Sequence, residues 1–414
     1  MPHNTRIPLA DQRRSVPVAD ILASVPREAP PAESLYIHVP FCFHKCHYCD
    51  FYSIVDTRNR QPEFVERLKE ELSALSNRAA TPLRTIFVGG GTPSLLPPAL
   101  WRDLLAHLRS RFDLTQLEEF TVECNPETVT RELTDTLVAG GVTRVSMGAQ
   151  SFNPRHLATL ERWHNPDSVP VALDHARKAG ISRDSIDLIY AIPGQTLDEW
   201  RSDLSIALSL GTRHLSCYNL TYEPNTAMAV RLKQGEFAPT DEDTEVDMFL
   251  VTSEVLRAAG LQRYEVSNYA APGQECRHNL IYWRQGQWLA AGPSASAHFA
   301  GHRWKNLQRL DDYLSTKTAG LSHATDHETP DATRALGELL MTGLRLSEGL
   351  DTGAILAAAT ALGPDVAQRV TRTRERHVAQ GNMTEDPLRL VLTDAGILIE
   401  NRVTIDFLRA LDPR

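Results

Sequence analysis

The chain has 414 residues, 42% hydrophobic and 23% charged, a composition typical of a soluble globular protein rather than of a disordered chain. No stretch approaches the ~18 uninterrupted apolar residues of a membrane span, and the N-terminal segment with Arg13 and Arg14 lacks the apolar run of a secretory signal. We therefore expect a cytoplasmic protein. The net charge of −9 weighs against a nucleic-acid binder, since such proteins usually carry an excess of basic residues.

Short β-rich segments alternate with segments of helical period along the first two thirds of the chain. Residues 1–33 show no clear period and end in a proline-rich stretch, which predicts a flexible leader. Strands that alternate with helices of ordinary length form right-handed βαβ units around a parallel sheet. The predicted strands cover 35–39, 85–88, 119–123, 142–147, 185–190 and 214–220, and the predicted helices cover 62–76, 98–111, 130–139, 166–179, 197–210 and 241–259.

Six such units are fewer than the eight of a closed barrel, so the sequence predicts an α/β fold with an open, curved sheet, a partial (β/α)6 barrel. The alternation stops after about residue 262, where a stretch rich in glycine and aromatic residues is followed by a helical region. We expect the barrel domain to span residues 34–284. A smaller, mainly helical domain is expected over residues 285–414.

Three of the six cysteines, Cys42, Cys46 and Cys49, are closely spaced. In a reducing compartment this Cys-x3-Cys-x2-Cys spacing indicates metal ligation rather than disulfide bonds. Three thiolates can hold three irons of a cubane [4Fe-4S] cluster and leave the fourth iron open to another ligand. The alternative is a zinc site with His44 or His47 as the fourth ligand. Structural zinc sites usually combine two separated ligand pairs, and the sequence has no second pair, which favours the cluster.

The predicted strands end in polar or glycine-rich segments. The first leads into the cysteine loop, the second into the glycines of 89–91, the third ends near Glu123, and the fifth carries Asp187. Because ligands collect at the carboxyl ends of parallel strands, these segments predict a single site. The glycines allow the backbone to approach a ligand closely, and the two acids can bind its cationic or hydroxyl groups. Each acid could instead cap the helix that follows it.

Longer motifs in the chain resemble those of one family, the HemW heme chaperones. The chaperones are relatives of the oxygen-independent coproporphyrinogen III oxidase, HemN, in the radical S-adenosylmethionine superfamily. The resemblance runs from about residue 34 to the C-terminus. It implies a radical-SAM barrel and a [4Fe-4S] cluster whose open iron is chelated by the amino and carboxylate groups of S-adenosylmethionine. The matching motifs are YIHVPFCFHKCHYCDF at 36–51, GGGTPSLL at 89–96, ECNP at 123–126, MGAQSF at 147–152, DLIYAIPGQT at 187–196 and HNLIYW at 278–283.

The resemblance also implies which residues contact S-adenosylmethionine. At most of these positions the chain carries the family's residue. Thr221 falls at a backbone-contact position, but the residue type is changed there. The implied contacts are Tyr36, Tyr48, Gly90, Gly91, Thr92, Glu123, Gln150, Arg162, Asp187 and Thr221.

Two positions separate the chaperones from the oxidase. The oxidase has a fourth cysteine two residues after the third, where this chain has Phe51. The HNLIYW segment is similar to the chaperones' H-N-x-x-Y-W motif, whose histidine, here His278, is implicated in heme binding, and imidazole is a common axial ligand of heme iron. The other interpretation of His278 is a histidine that is hydrogen-bonded within the chain. His298 and His302 are the next candidates.

The resemblance thus predicts a heme chaperone that binds heme, passes it to an acceptor protein and needs a reductant for its cluster. The first alternative is a coproporphyrinogen III oxidase with the same cofactor site. The second is a zinc-stabilised nucleic-acid module, suggested by the basic run from Arg369 to His377. That run includes Glu375 and follows a helical period, so a solvated helix face is the preferred interpretation.

Overall fold

The computed structural model of the protein describes residues 15–80 and 82–412. In that part of the chain the strands are β1 (Val16–Pro17), β2 (Ser34–Val39), β3 (Thr85–Gly90), β4 (Glu119–Cys124), β5 (Arg144–Gln150), β6 (Arg183–Tyr190), β7 (His214–Asn219), β8 (Gln262–Arg263), β9 (Asn268–Ala270), β10 (Trp288–Ala291), β11 (Ser296–Phe299), β12 (His302–Asn306), β13 (His323–Glu328), β14 (Leu350–Asp351) and β15 (Arg389–Leu390). The α-helices are α1 (Val18–Ser24), α2 (Gln61–Leu75), α3 (Pro98–Arg111), α4 (Arg131–Ala139), α5 (Pro154–Thr159), α6 (Ser168–Ala179), α7 (Leu197–Ser209), α8 (Ala227–Lys233), α9 (Glu242–Ala258), α10 (Arg277–Trp283), α11 (Leu310–Ser315), α12 (Ala332–Gly343), α13 (Thr352–Leu362), α14 (Pro364–Ala379), α15 (Asp394–Leu398) and α16 (Glu400–Leu411).

Six parallel strands, β2 to β7, lie side by side in chain order and form the centre of the main sheet. A predicted helix follows each of them: α2, α3, α4, α6, α7 and α9. All six predicted strands and all six predicted helices are present, with ends that differ by a few residues. The partial (β/α)6 barrel predicted from the sequence is therefore confirmed.

The helices pack on the sheet through faces that their sequence period defines. In α2 the side chains of Phe64, Leu68, Leu72 and Leu75 recur every three or four residues and are all buried. Burying a side chain of this size stabilises the fold by roughly 1.5–3 kcal/mol. Thr196 caps the N-terminus of α7. Its hydroxyl accepts a hydrogen bond from the N–H of Glu199, and the Glu199 carboxylate accepts one from the N–H of Thr196.

The main sheet continues beyond the six parallel strands on both sides. At one edge β10 pairs in parallel with β2, and β11, β12 and β13 extend the sheet in antiparallel fashion. At the other edge β9 pairs antiparallel to β7, and β8 pairs antiparallel to β9. The predicted domain boundary at 284/285 is therefore wrong, because residues 288–328 belong to the barrel's sheet. Their apolar side chains Leu289, Phe299 and Trp304 are buried in the barrel's core.

The predicted flexible leader, residues 1–33, contains regular structure within its described part, residues 15–33. Residues 1–14 lie outside the described residues, but β1 pairs with β13, and α1 buries Val18, Ile21 and Leu22 against the barrel's core. The structure therefore corrects the prediction for the second half of the leader. A helix of seven residues with three buried side chains is too short to show a helical period in the sequence.

A second hydrophobic core lies among helices α12 to α16, so a separate, mainly helical unit begins at about residue 330. Its helix α14 carries the basic run noted in the sequence. The guanidinium of Arg369 donates to the carbonyl of Ala410, and Arg376 and His377 both lie within 3.2 Å of the Asp406 carboxylate. These contacts hold the basic run within the helical unit. No helix among residues 15–80 and 82–412 is both long and apolar enough to cross a membrane.

Candidate functional site

The carboxyl ends of the parallel strands open into one cavity of about 420 Å³, which we call the rim cavity. The cysteine loop at 42–53 covers one side of it, and the ends of β3 to β7 form the other. All the site residues predicted from the sequence line this cavity except Tyr36 and His278. The predicted residues in its wall are Cys42, Cys46, Tyr48, Cys49, Gly90, Gly91, Thr92, Glu123, Gln150, Arg162, Asp187 and Thr221.

The cysteine loop is fixed to the barrel by backbone and side-chain hydrogen bonds. The N–H of Cys42 donates to the carbonyl of Ile54 at 2.9 Å, and the hydroxyl of Thr92 lies 3.5 Å from the Cys42 sulfur. The guanidinium of Arg162 donates to the sulfur of Cys46 at 3.7 Å. The Cys42 sulfur therefore contacts a hydroxyl and the Cys46 sulfur contacts a guanidinium. Hydrogen-bond donors of these kinds stabilise the thiolate form of cysteine.

The three thiols have the chemistry of an iron–sulfur site. Burial raises the pKa of the Cys42 thiol and raises that of Cys49 to about 11, so without a metal both are protonated. Thiolates are the ligand form, and a bound metal supplies the positive charge that keeps them ionised. The residues present fit a cluster, because three cysteines share one cavity with cation and hydroxyl donors. A site for a single metal ion is a different case: among the described residues, no group of three His, Cys, Asp or Glu side chains is arranged to hold one ion.

The two histidines of the cysteine loop have other contacts. The ring of His44 stacks on Trp163, with ring centroids 3.9 Å apart and an interplanar angle of 6°. The Nδ1 of His47 lies 3.3 Å from the guanidinium of Arg231. The positive charge of Arg231 would repel a zinc ion bound to the imidazole of His47. These surroundings therefore disfavour His47 as a zinc ligand.

The glycine turn after β3 lies where side chains do not fit. A Cβ atom on Gly91 would lie 2.7 Å from the carbonyl oxygen of Phe41, and one on Gly89 would lie 2.7 Å from a carboxylate oxygen of Glu123. Gly90 has a φ of +107°, which favours glycine, and its N–H donates to Glu123 at 3.0 Å. The sequence singled out the second and third glycines, and the structure adds the first as a position of close approach.

The two predicted acids, Glu123 from β4 and Asp187 from β6, both line the rim cavity. Burial and the neighbouring Asp187 raise the pKa of Glu123 to about 7. Burial also raises the pKa of Asp187, although the hydroxyl of Ser146 donates to both of its carboxylate oxygens, at 3.1 and 3.2 Å. The buried Arg144 acts on both acids and favours their charged forms. Two half-buried acids of this kind suit a ligand with cationic and hydroxyl groups.

Strand β5 supplies two residues that the motif analysis did not single out, Arg144 and Ser146. Arg144, Ser146, Gly148 and Gln150 alternate along the strand and face the acids or the cavity. This polar alternation with a period of two was visible in the sequence and could have identified Arg144 and Ser146. A bulge between Gly148 and Gln150 puts Gln150 at a φ of +64° and so re-aims its side chain. The guanidinium of Arg162 donates to the carbonyl of Gly148 at 2.8 Å.

His278 lies behind the site rather than in it. Its side chain is buried, with Nδ1 2.7 Å from the hydroxyl of Thr85 and Nε2 2.8 Å from the hydroxyl of Tyr282. Burial lowers the pKa of His278 to about 4, so the ring is neutral. Both ring nitrogens therefore take part in hydrogen bonds, which agrees with the second interpretation of His278, a histidine hydrogen-bonded within the chain. For His278 to bind heme iron, one of these hydrogen bonds would have to break.

Comparisons with known proteins agree with this geometry. A family model described as the radical SAM superfamily matches residues 36–206. The chain is 36% identical to the heme chaperone HemW of Mycobacterium tuberculosis over 374 residues, which cover 89% of this chain and 93% of the relative. It is 34% identical to HemW of Escherichia coli over 380 residues, which cover 91% and 98%.

The chain belongs to the HemW family. Among solved structures, the fold of this HemW family member is similar to that of coproporphyrinogen III oxidase (HemN) from Escherichia coli, described as a radical SAM enzyme. The TM-score is 0.80 at 22% identity, with 96% of this chain and 95% of the other covered. At that identity the likeness shows a shared fold. Phe51, at the position that separates the HemW pattern from the oxidase, is 63% exposed at the edge of the rim cavity.

Proposed function

We propose that this protein is a heme chaperone that binds heme and transfers it to an acceptor protein. The observation that carries the proposal is the 36% identity, over 89% of the chain, to a protein named as a heme chaperone. The rim cavity supports it, because the residues that the family resemblance implies as cofactor contacts, except Tyr36, lie together there. We propose that the protein works in the cytoplasm with a reductant for its cluster.

We propose that Cys42, Cys46 and Cys49 hold a [4Fe-4S] cluster and that the rest of the rim cavity holds S-adenosylmethionine. When bound, the cluster supplies an electron and an open iron for the amino acid part of that ligand. Arg162 would compensate the thiolate charge, since it contacts a cysteine sulfur in the structure. Glu123 and Asp187 would bind the ligand's hydroxyl and cationic groups.

The affinity for S-adenosylmethionine is expected to rise with pH. Because the pKa of Glu123 is about 7, its carboxyl is mostly protonated at about pH 6 and mostly ionised at about pH 8. If only the carboxylate binds the ligand, the affinity of the wild-type protein should rise about ten-fold over that interval. The measurement is calorimetric titration of the cluster-loaded protein at both pH values.

The matched control is Glu123→Gln, which keeps the shape of the side chain and removes its titration. Any pH dependence that comes from the ligand's own amino group will appear in both proteins. The wild-type protein should therefore gain about ten-fold more affinity than the variant between the two pH values. Equal gains in both proteins would contradict the role given to Glu123.

A heme titration combined with a coproporphyrinogen assay tests the chaperone function. We expect the anaerobically reconstituted protein to bind heme and to leave coproporphyrinogen III unconverted when reductant and S-adenosylmethionine are supplied. The binding is followed by the Soret band and the conversion by chromatography of the porphyrin products. Robust turnover of coproporphyrinogen would replace the chaperone proposal with the oxidase.

A further inference from the structure

A second cavity, of about 860 Å³, lies beside the rim cavity, between strands β10 to β12 and helices α10 and α12. We call it the β12 groove. It is open to solvent on the side of Met341, a residue of α12 that is 41% exposed. Its volume is within the range of ligand pockets that bury most of a large organic molecule.

Aromatic rings from three adjacent strands and from helix α10 form one wall of the β12 groove. Tyr36 and Phe87, from neighbouring parallel strands, lie with ring centroids 6.3 Å apart and an interplanar angle of 28°. Tyr282 and Trp288 make an edge-to-face pair with centroids 4.5 Å apart. Rings in these positions offer flat and edge-on apolar surface to a planar ligand, and such contacts are favourable beyond the burial of area alone.

The alternation of β12 places two cations in the same groove. Arg303 and Lys305 line it, whereas Trp304 between them is buried in the core. The guanidinium of Arg303 is 2.8 Å from the Glu338 carboxylate and lies over the ring of Trp288 at 5.7 Å. Arg303 therefore neutralises one of the acids in the wall. Lys305 is half-buried, and its positive charge disfavours protonation of the His38 ring.

The β12 groove is continuous with the rim cavity. Lys45, Phe51, Glu123 and Tyr218 line both of them. A ligand in the groove would therefore lie directly against a ligand at the carboxyl ends of the strands. Phe51, which is mostly exposed, would be the apolar surface between them.

The HNLIYW segment reaches the groove through residues other than its histidine. Helix α10 presents Asn279 and Tyr282 to the groove. His278 stands behind Tyr282, and its Nε2 lies 2.8 Å from the tyrosine hydroxyl. The histidine therefore fixes the position of a ring in the groove wall.

We propose that the β12 groove is the heme site, with the macrocycle against this aromatic wall and a propionate carboxylate on Lys305. The assignment rests on the proposed heme chaperone function and adds to it the place and the charged anchor of the ligand. Heme matches the groove because it is flat and apolar over most of its surface and carries two carboxylates at one edge. Lys305 is the anchor rather than Arg303, because Arg303 already pairs with Glu338.

The test compares heme with its dimethyl ester, which has the same macrocycle and iron but no free carboxylate. The full chain, loaded with its cluster, is titrated with each compound as wild type and as Lys305→Gln. We expect the substitution to weaken heme binding about ten-fold, the scale of one charge-assisted hydrogen bond, and to leave binding of the ester unchanged. Lys305→Arg should restore most of the heme affinity. Lys317→Gln is the matched control, since Lys317 pairs with Glu70 on the surface.

The outcomes separate this assignment from the function on which it rests. If the wild-type protein binds heme and Lys305→Gln binds it equally well, the groove assignment is overturned and the chaperone function stands. Equal weakening of heme and ester, with the cluster content and the thermal midpoint unchanged, would overturn the carboxylate anchor. If the wild-type protein binds no heme at all, the chaperone proposal and the groove assignment both fail.

Discussion

Replacing Cys46 with alanine is expected to abolish the iron–sulfur cluster. The substitution leaves one iron without its thiolate, and it also leaves the half-buried guanidinium of Arg162 without the sulfur that it contacts at 3.7 Å. The same loss is expected for Cys42→Ala and Cys49→Ala. The measurement is the iron and acid-labile sulfide content after anaerobic reconstitution, which should fall to background.

Cys217→Ala is the matched control for the cluster variants. Cys217 is a buried cysteine in β7 and lies outside the wall of the rim cavity, so its replacement should leave the iron and sulfide content unchanged. One zinc ion per wild-type chain, with no sulfide, would contradict the cluster. Retention of the full cluster by all three loop variants would move it away from these cysteines.

Replacing Asp187 with asparagine is expected to weaken S-adenosylmethionine binding by one to two orders of magnitude. Asparagine can still accept hydrogen bonds from Ser146, but it no longer offers a charge to the ligand, and a charge-assisted hydrogen bond is worth ~1.5–3 kcal/mol. The cluster should remain, because Asp187 contacts no cysteine of the loop. Calorimetry on the cluster-loaded variant measures the affinity.

Asp184→Asn serves as the control for that variant. Asp184 lies on the same strand, three residues earlier and therefore on the opposite face, where it pairs with Arg177 at 2.7 Å. Its replacement should leave the affinity for S-adenosylmethionine unchanged. An unchanged affinity in Asp187→Asn as well would show that the ligand lies elsewhere.

The parallel core of the fold was predictable because its signals are local. Each strand of the barrel is a short apolar run, and each following helix has its own period and its own end signals, so the six units could be counted from the sequence. The pairing of β10 with β2 could not be predicted in this way. The two strands pair through only four residues each, and the paired residues are about 250 positions apart in the chain. The segment from Trp288 to Ala291 contains no sequence signal that shows which strand it pairs with.

The part of the candidate site that the order and direction of the strands bring together could be predicted from the sequence. Parallel strands in chain order place their carboxyl ends at one edge, which is why Glu123 and Asp187 line the same cavity as the cysteine loop. The surroundings of His278 were not predictable, because a motif names a residue type but does not show whether its ring faces a cavity or the core. One of its hydrogen-bond partners is Thr85, a residue 193 positions away.

The two ends of the thirteen-stranded sheet bear on how the protein avoids self-association. An unpaired strand edge is a template on which a second chain can add a strand, and natural proteins shorten or charge such edges. One end of this sheet is β8, only two residues long. At the other end β1 pairs with His323 and Ala324 of β13, and the rest of β13 includes the charged residues Asp326 and Glu328. Within residues 15–80 and 82–412, neither end therefore presents a long apolar edge to a neighbouring copy.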